Sequence, residues 1–129
     1  MFELTMLTMD GKKQVEEIER ISLPTEDGIR TILANHMPAV IPVKIGKVLL
    51  IRENSREEVV VSEGIFNFKE NQAHLFVRTF EYADEIDQAR AERAKKRAEE
   101  RLASELSTRE AREAELALER AITRISAAR

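Results

Sequence analysis

Two hydrophobic rhythms divide this chain. Up to about residue 83, apolar side chains alternate with polar ones or run briefly between turn signals, which is the pattern of short β-strands. Phe2, Leu4, Met6 and Thr8 fall on one side of the first strand and Glu3, Thr5, Leu7 and Met9 on the other; Asp10-Gly11 then supplies a turn. A second strand is expected near 14–23. Pro24 to Gly28 reads as a loop, and the segment from Ile29 to Pro42 as short extended pieces around Asn35-His36-Met37-Pro38. Further strands are predicted at 43–52, 57–62, 64–68 and 73–80. Strands of this length with turns between them predict an all-β sandwich over residues 1–83, with a core small but sufficient to fold alone.

From Asp84 the apolar period lengthens to three and four. Asp84 is the expected N-cap, Glu85 and Asp87 place negative charge in the first turn, and Ala91, Ala94, Ala98, Leu102 and Leu106 form an apolar stripe. A second stripe runs through Ala111, Ala114, Leu118, Ala121, Ile122 and Ile125. Between the two, Ser107-Thr108-Arg109-Glu110 is a capping box able to start a new helix at Ser107, and no Gly or Pro enforces a break there. Residues 84–129 therefore read either as a fixed two-helix hairpin or as one that can pass into a nearly continuous helix, since narrow alanine stripes bury little area. The fold class predicted is α+β, an N-terminal β-sandwich of short antiparallel strands followed by a C-terminal helical hairpin.

Composition then removes several functions. In this chain of 129 residues the last Gly or Pro is Gly64 and the last aromatic is Tyr82, so the tail holds neither breaker nor ring. Residues 1–83 carry 10 Lys/Arg against 13 Asp/Glu and residues 84–129 carry 11 of each, a balance unlike that of a nucleic-acid binder. The tail's lack of stacking aromatics points the same way. Without cysteine there is no disulfide framework, thiol nucleophile or cysteine-ligated zinc. His36 and His74 make no recognisable metal spacing and read as a loop residue and a strand residue. No apolar run approaches the ~18–20 residues of a membrane helix and the start lacks a leader pattern, so a soluble, cytosolic chain is expected. No serine, lysine or acid pair has the context of a catalytic group, so no enzyme is expected.

The informative chemistry lies in the tail's arginines. On a helix a charge is normally balanced three or four positions away. Arg90 has Asp87, Arg97 has Glu100 and Arg101 has Glu105, whereas Arg93, Arg120 and Arg124 have only neutral or like-charged residues at those spacings. A turn near 106–107 sets Arg93 opposite Arg120, and Arg90 opposite Thr123 and Arg124. Two readings are open: a solvated face with salt bridges between the helices, or a cationic cleft for a polyphosphate or an acidic protein surface, which guanidinium forks match bidentately.

The Asn35-His36-Met37-Pro38 loop, the stretch Val59-Val60-Val61-Ser62-Glu63-Gly64-Ile65-Phe66 and then Ile86-Asp87-Gln88-Ala89-Arg90-Ala91 resemble the epsilon subunit of bacterial F-type ATP synthases. Lys95-Lys96-Arg97-Ala98-Glu99 and Ala114-Glu115-Leu116-Ala117-Leu118 extend the resemblance over essentially the whole chain. It implies a rotor-stalk subunit on the cytoplasmic side of the cell membrane, in a peripheral complex. The sandwich would bind the gamma subunit and the c-ring, and the hairpin would inhibit ATP hydrolysis by extending toward the alpha and beta catalytic subunits. No catalytic cofactor is implied, but ATP is, as a regulatory ligand. By position the resemblance assigns ATP to Glu81, Ile86, Asp87, Arg90 and Ala91, to Arg97 on the first helix, and to Arg120 and Arg124 on the second. The chain departs from the family where a Gly-Glu-Leu-Gly loop is usual, having Gly28-Ile29-Arg30-Thr31, and where Gly-Gly is usual, having Glu63-Gly64. A free-standing adaptor for an unrelated protein is the alternative function.

Overall fold

The computed structural model describes residues 1–104 and 107–128. Its first unit, Met1–Tyr82, holds ten strands: β1 (Phe2–Leu7), β2 (Lys13–Ile18), β3 (Arg20–Thr25), β4 (Gly28–Leu33), β5 (Ala39–Val43), β6 (Gly46–Arg52), β7 (Ser55–Val61), β8 (Gly64–Lys69), β9 (Gln72–Val77) and β10 (Phe80–Tyr82). They form two five-stranded sheets, ordered β2-β1-β9-β8-β5 and β10-β7-β6-β3-β4. Every pairing is antiparallel except β1 with β9. Alternate residues from both sheets meet in one core, in which Leu4, Met6, Ile18, Ile21, Leu23, Leu50, Phe66, Phe68 and Leu75 are fully buried. Edge-to-face packing of Phe2 on Phe68, with centroids 5.3 Å apart, closes one end of it.

The strands expected at 14–23, 43–52 and 73–80 are each two strands, one in either sheet. The chain crosses between sheets at Glu19, at Lys44-Ile45 and at Arg78-Thr79, and the partner strand crosses at Ser62-Glu63. Register runs through the crease unchanged: Val61 faces Phe80 on one side of it and Gly64 faces Val77 on the other. The same holds for Gly46 facing Val61 and Val43 facing Gly64. Residues 39–82 are thus a single three-stranded ribbon folded over, a known way of making sandwich corners. Backbone bonds stitch the crease, with Ser62 N–H donating to Thr79 O at 3.0 Å and Arg78 N–H to Glu63 O at 3.1 Å. The Ser62 and Thr79 hydroxyls meet at 2.7 Å.

The expected loop at 24–28 is a correction. Pro24 lies inside β3 and only Glu26-Asp27 turn the chain into β4, so 29–33 is a full strand rather than scattered extended pieces. Proline is tolerated there because β6 pairs only with Arg20, Ile21 and Ser22 of β3, leaving no neighbour that needs the missing N–H.

The second unit, Ala83–Arg129, opens with a 3₁₀ turn (Ala83–Glu85) and holds two helices, α1 (Gln88–Leu102) and α2 (Thr108–Ala127), which pack against each other. The buried side chains of α1 are Ala91 and Ala98, and those of α2 are Ala114, Ala121 and Ala127. The seven-residue spacing of 91 to 98 and of 114 to 121 lets the two pairs stand opposite one another in an antiparallel hairpin. Ile122, expected on the apolar stripe, is 47% exposed. Leu106 of the other stripe, like Glu105 of the expected pair with Arg101, lies outside the described residues.

Candidate functional site

The start of α1 is where the sequence signature acquires a physical meaning. Asp87, not Asp84, is the N-cap: its φ of −84° and ψ of 104° are extended, and its side chain accepts from Arg90 N–H at 3.0 Å. Asp84 lies in the preceding 3₁₀ turn. Ile86, one residue before the cap, and Ala91, four residues into the helix, are both buried, the two positions of a hydrophobic staple. The Ile-Asp-x-x-Arg-Ala pattern is therefore a complete helix-start device. Its apolar pair, Ile86 and Ala91, is the sequence signal that distinguishes Asp87 from Asp84 as the cap.

Of the capping box expected at Ser107, the serine half is present: Ser107 is the N-cap of α2, while the Glu110 carboxylate meets the Ser107 hydroxyl. Ser107 Oγ accepts from Glu110 N–H at 3.2 Å, and its hydroxyl lies 3.0 Å from Glu110 Oε1. Ala111 N–H donates to Ser107 O at 2.9 Å to close the first turn of α2.

The arginines flank the alanine seam. Arg90 and Arg97 immediately precede the buried Ala91 and Ala98 on α1, and both are exposed. Arg120 precedes Ala121 on α2 and Arg124 follows one turn later; both are half-buried, with Arg120 Nη1 and Arg124 Nε shielded from solvent. Arg90 lies in the first turn of α1 and Arg120 and Arg124 in the last two turns of α2, whereas Arg97 lies in the second half of α1. Ion pairs elsewhere on α2 are Arg109–Glu113 at 3.3 Å and Arg112–Glu115 at 3.9 Å, near its N-terminus. Glu81 belongs to the first unit, half-buried on β10 opposite Val60.

Sequence spacing gave no sign of a second polar cluster, which assembles from residues up to 66 positions apart. Glu16 on β2 accepts from Tyr82 Oη at 2.7 Å, from Gln14 Nε2 at 3.1 Å and from Arg52 Nη2 at 2.6 Å. Arg52 Nε also donates to Glu17 O at 3.1 Å, so the group bridges the edges of the two sheets. Burial, reinforced by the hydrogen bond to Glu16, pushes the Tyr82 phenol well above the usual tyrosine range. Both histidines have structural surroundings: His36 Nδ1 is 2.7 Å from Met37 O and its ring stands edge-on to Phe68, while His74 stacks on Phe76. Among the described residues no three His, Asp or Glu side chains are placed to hold a metal ion, and no helix is long and apolar enough to cross a membrane.

Comparison with known proteins covers both units. The family model of the ATP synthase delta/epsilon chain β-sandwich domain matches residues 1–83, and that of the delta/epsilon chain long α-helix domain matches residues 84–129. The chain is 38% identical to the ATP synthase epsilon chain of Bacillus velezensis, over 98% of this chain and 96% of that one. It is 39% identical to that of Bacillus licheniformis, over 98% and 97%. Its fold is that of a chain in the Euglena gracilis mitochondrial ATP synthase (TM-score 0.79, 20% identity, 96% of this chain and 79% of that one). With both domain models matched in order and relatives aligned nearly end to end, this chain belongs to the ATP synthase epsilon chains, non-catalytic regulatory subunits of that enzyme.

Proposed function

We propose that this subunit couples gamma to the c-ring through its sandwich and restrains ATP hydrolysis through its helical tail, with ATP favouring the folded hairpin. The observation that carries the reading is the seam between α1 and α2. Its buried side chains on facing spacings are Ala91, Ala98, Ala114 and Ala121. At roughly 0.8 kcal/mol per buried methyl-sized group the four alanines contribute little, and Leu102, Leu116, Leu118 and Ile125 are only half-buried. A ligand bridging the helices can then decide the equilibrium, provided it prefers the folded form.

The ligand fitting the walls of that seam is a polyphosphate. Arg90, Arg97, Arg120 and Arg124 would hold its oxygens, while Ile86, Asp87 and Ala91 would define the end that takes the base. In the extended form the same cations would face acidic surface on the alpha and beta subunits, so ligand and protein partner would compete. The location that follows is the cytoplasmic face of the membrane, within a peripheral complex.

The test is a calorimetric titration of the isolated chain with ATP, paired with ATP hydrolysis by the assembled complex. Binding at or below millimolar ATP, with relief of inhibition over the same range, supports the reading. Silence in the titration removes ATP as the ligand and leaves the arginines to the protein interface alone.

A further inference from the structure

The last strand of the sandwich is fastened differently at its two ends. β10 lies at the edge of its sheet and pairs on one side only, with Val59, Val60 and Val61 of β7. Phe80, at its start, is 2% exposed and belongs to the core. Lys12, in the turn before β2, holds it twice: Nζ donates to Phe80 O at 2.9 Å and lies 4.4 Å from the centre of the Phe80 ring. Glu81 and Tyr82, which follow, are half-buried, and the phenol donates to Glu16 of β2 at 2.7 Å. Directly after Tyr82 the chain enters the second unit.

The two fastenings differ in what it costs to undo them. Withdrawing Phe80 would expose a whole aromatic side chain and strip a cation from its ring. Withdrawing Tyr82 gives its hydrogen bond with Glu16 over to water, and Glu16 keeps Arg52 at 2.6 Å and Gln14 at 3.1 Å, so the carboxylate is not left alone. Arg52 is itself held, its Nε donating to Glu17 O at 3.1 Å, which keeps the socket for the phenol formed when the phenol has left. Strand β7 also stays in place, since β6 pairs with it along Ser55–Val61.

We propose that Phe80 is the fixed pivot, and the Tyr82–Glu16 hydrogen bond the releasable latch, of the segment leading into the tail. Glu81 and Tyr82 peel from β7 and return together, and the peeling stops at Phe80. Two residues freed in this way add roughly 7 Å to the reach of the chain that follows them. The device requires neither ATP nor another subunit, so it stands apart from the stalk role.

Native-state hydrogen exchange on the full-length chain reads pivot and latch separately. Ser62 N–H donates to Thr79 O beside the pivot, and the alternation of an antiparallel ladder sets the next mutually bonded pair at Val60 and Glu81, beside the latch. In the natural chain the Val60 and Glu81 amides should exchange about ten-fold or more faster than that of Ser62 and respond little to low urea, whereas Ser62 should follow global unfolding. Tyr82→Phe should speed Val60 and Glu81 about ten-fold, the effect of losing one hydrogen bond to a charged group. Lys12→Met should leave those two unchanged and speed Ser62. In the double variant Val59→Cys/Tyr82→Cys, whose positions face each other as a close pair in the ladder, a disulfide should slow Val60 and Glu81 to the Ser62 rate until it is reduced. Equal rates and equal urea dependence for Val60, Glu81 and Ser62 in the natural chain overturn the proposal, as does Lys12→Met speeding all three alike.

Discussion

Tyr82, the last residue of the sandwich, donates its phenolic hydrogen to Glu16 across 2.7 Å, tying the strand that precedes the tail to the edge of the opposite sheet. Replacing it with phenylalanine removes one charge-assisted hydrogen bond but leaves Glu16 with Arg52 and Gln14. The expected loss is about 1.5 kcal/mol of stability, the lower end for a hydrogen bond to a charged group because the phenol is only half-buried, read from urea unfolding.

The same contact sets an alkaline limit. A phenol whose pKa is raised in the folded state keeps its full contribution below the unfolded value, near 10.0, and loses it as pH climbs beyond that. Stability should therefore fall above pH 10 more steeply in the natural chain than in Tyr82→Phe. With one tyrosine and no tryptophan in the sequence, ultraviolet absorbance follows this single group directly. A normal tyrosine titration in the folded state would refute the environment described.

Gly64 stands at the crease, where a Cβ would collide with Phe76 O and lie 2.7 Å from Val77 Cα. These are backbone atoms held in the β8–β9 ladder and cannot step aside. Gly64→Ala is expected to cost about 2–3 kcal/mol in chemical unfolding.

Removing the tail should leave a folded sandwich. The core of the first unit is built from Phe2 through Phe80, and its ladders are complete by Tyr82. A 1–83 fragment should unfold cooperatively in urea and show the natural chain's β-sheet circular dichroism. A fragment lacking a cooperative transition would contradict this.

Ser107→Ala deletes the cap that starts α2. Losing such a cap costs roughly 0.5–2 kcal/mol, which shifts a near-balanced helix equilibrium several-fold. Stronger inhibition of ATP hydrolysis is expected from the assembled complex, since the extended helix needs no cap at that point. Unchanged inhibition would remove Ser107 from the switch.

Alanine at Arg90 or Arg124 should weaken ATP binding roughly ten-fold or more, each charged hydrogen bond contributing on the order of 1.5–3 kcal/mol. Arg109→Ala, which disrupts only the exposed pair with Glu113, should leave the titration curve in place. Equal losses at all three positions would indicate nonspecific charge attraction.

The fold class and the two helices were legible because alternation and the three-to-four period are set by which side chains are buried. The crease was not. At Lys44-Ile45 and at Arg78-Thr79 the apolar rhythm passes from one sheet to the other while register continues, and alternation reports a side of a strand, never the sheet to which it belongs. Pro24 misled for a local reason: its exclusion from interior strands lapses where the next strand has already ended. The cap was misplaced because Asp84 and Asp87 are equivalent as side chains, and only Ile86 with Ala91 distinguishes them. In the candidate site Arg120 and Arg124 stood out as charges with no opposite charge three or four positions away in the sequence, whereas Arg90 and Arg97 have Asp87 and Glu100 at those spacings. The Glu16–Arg52–Tyr82 group was invisible, since only the folded chain brings those three strands together.

A ribbon shared by both halves of a sandwich also has a mechanical meaning. Two separate sheets resist sliding only through the interdigitation of their side chains. Here residues 39–82 run through both, so sliding would have to shear the Ser62–Thr79 and Glu63–Arg78 backbone pairs at the fold line. Force applied to one face therefore reaches the other through covalent chain and aligned hydrogen bonds, and the sandwich answers torque as a stiff bracket.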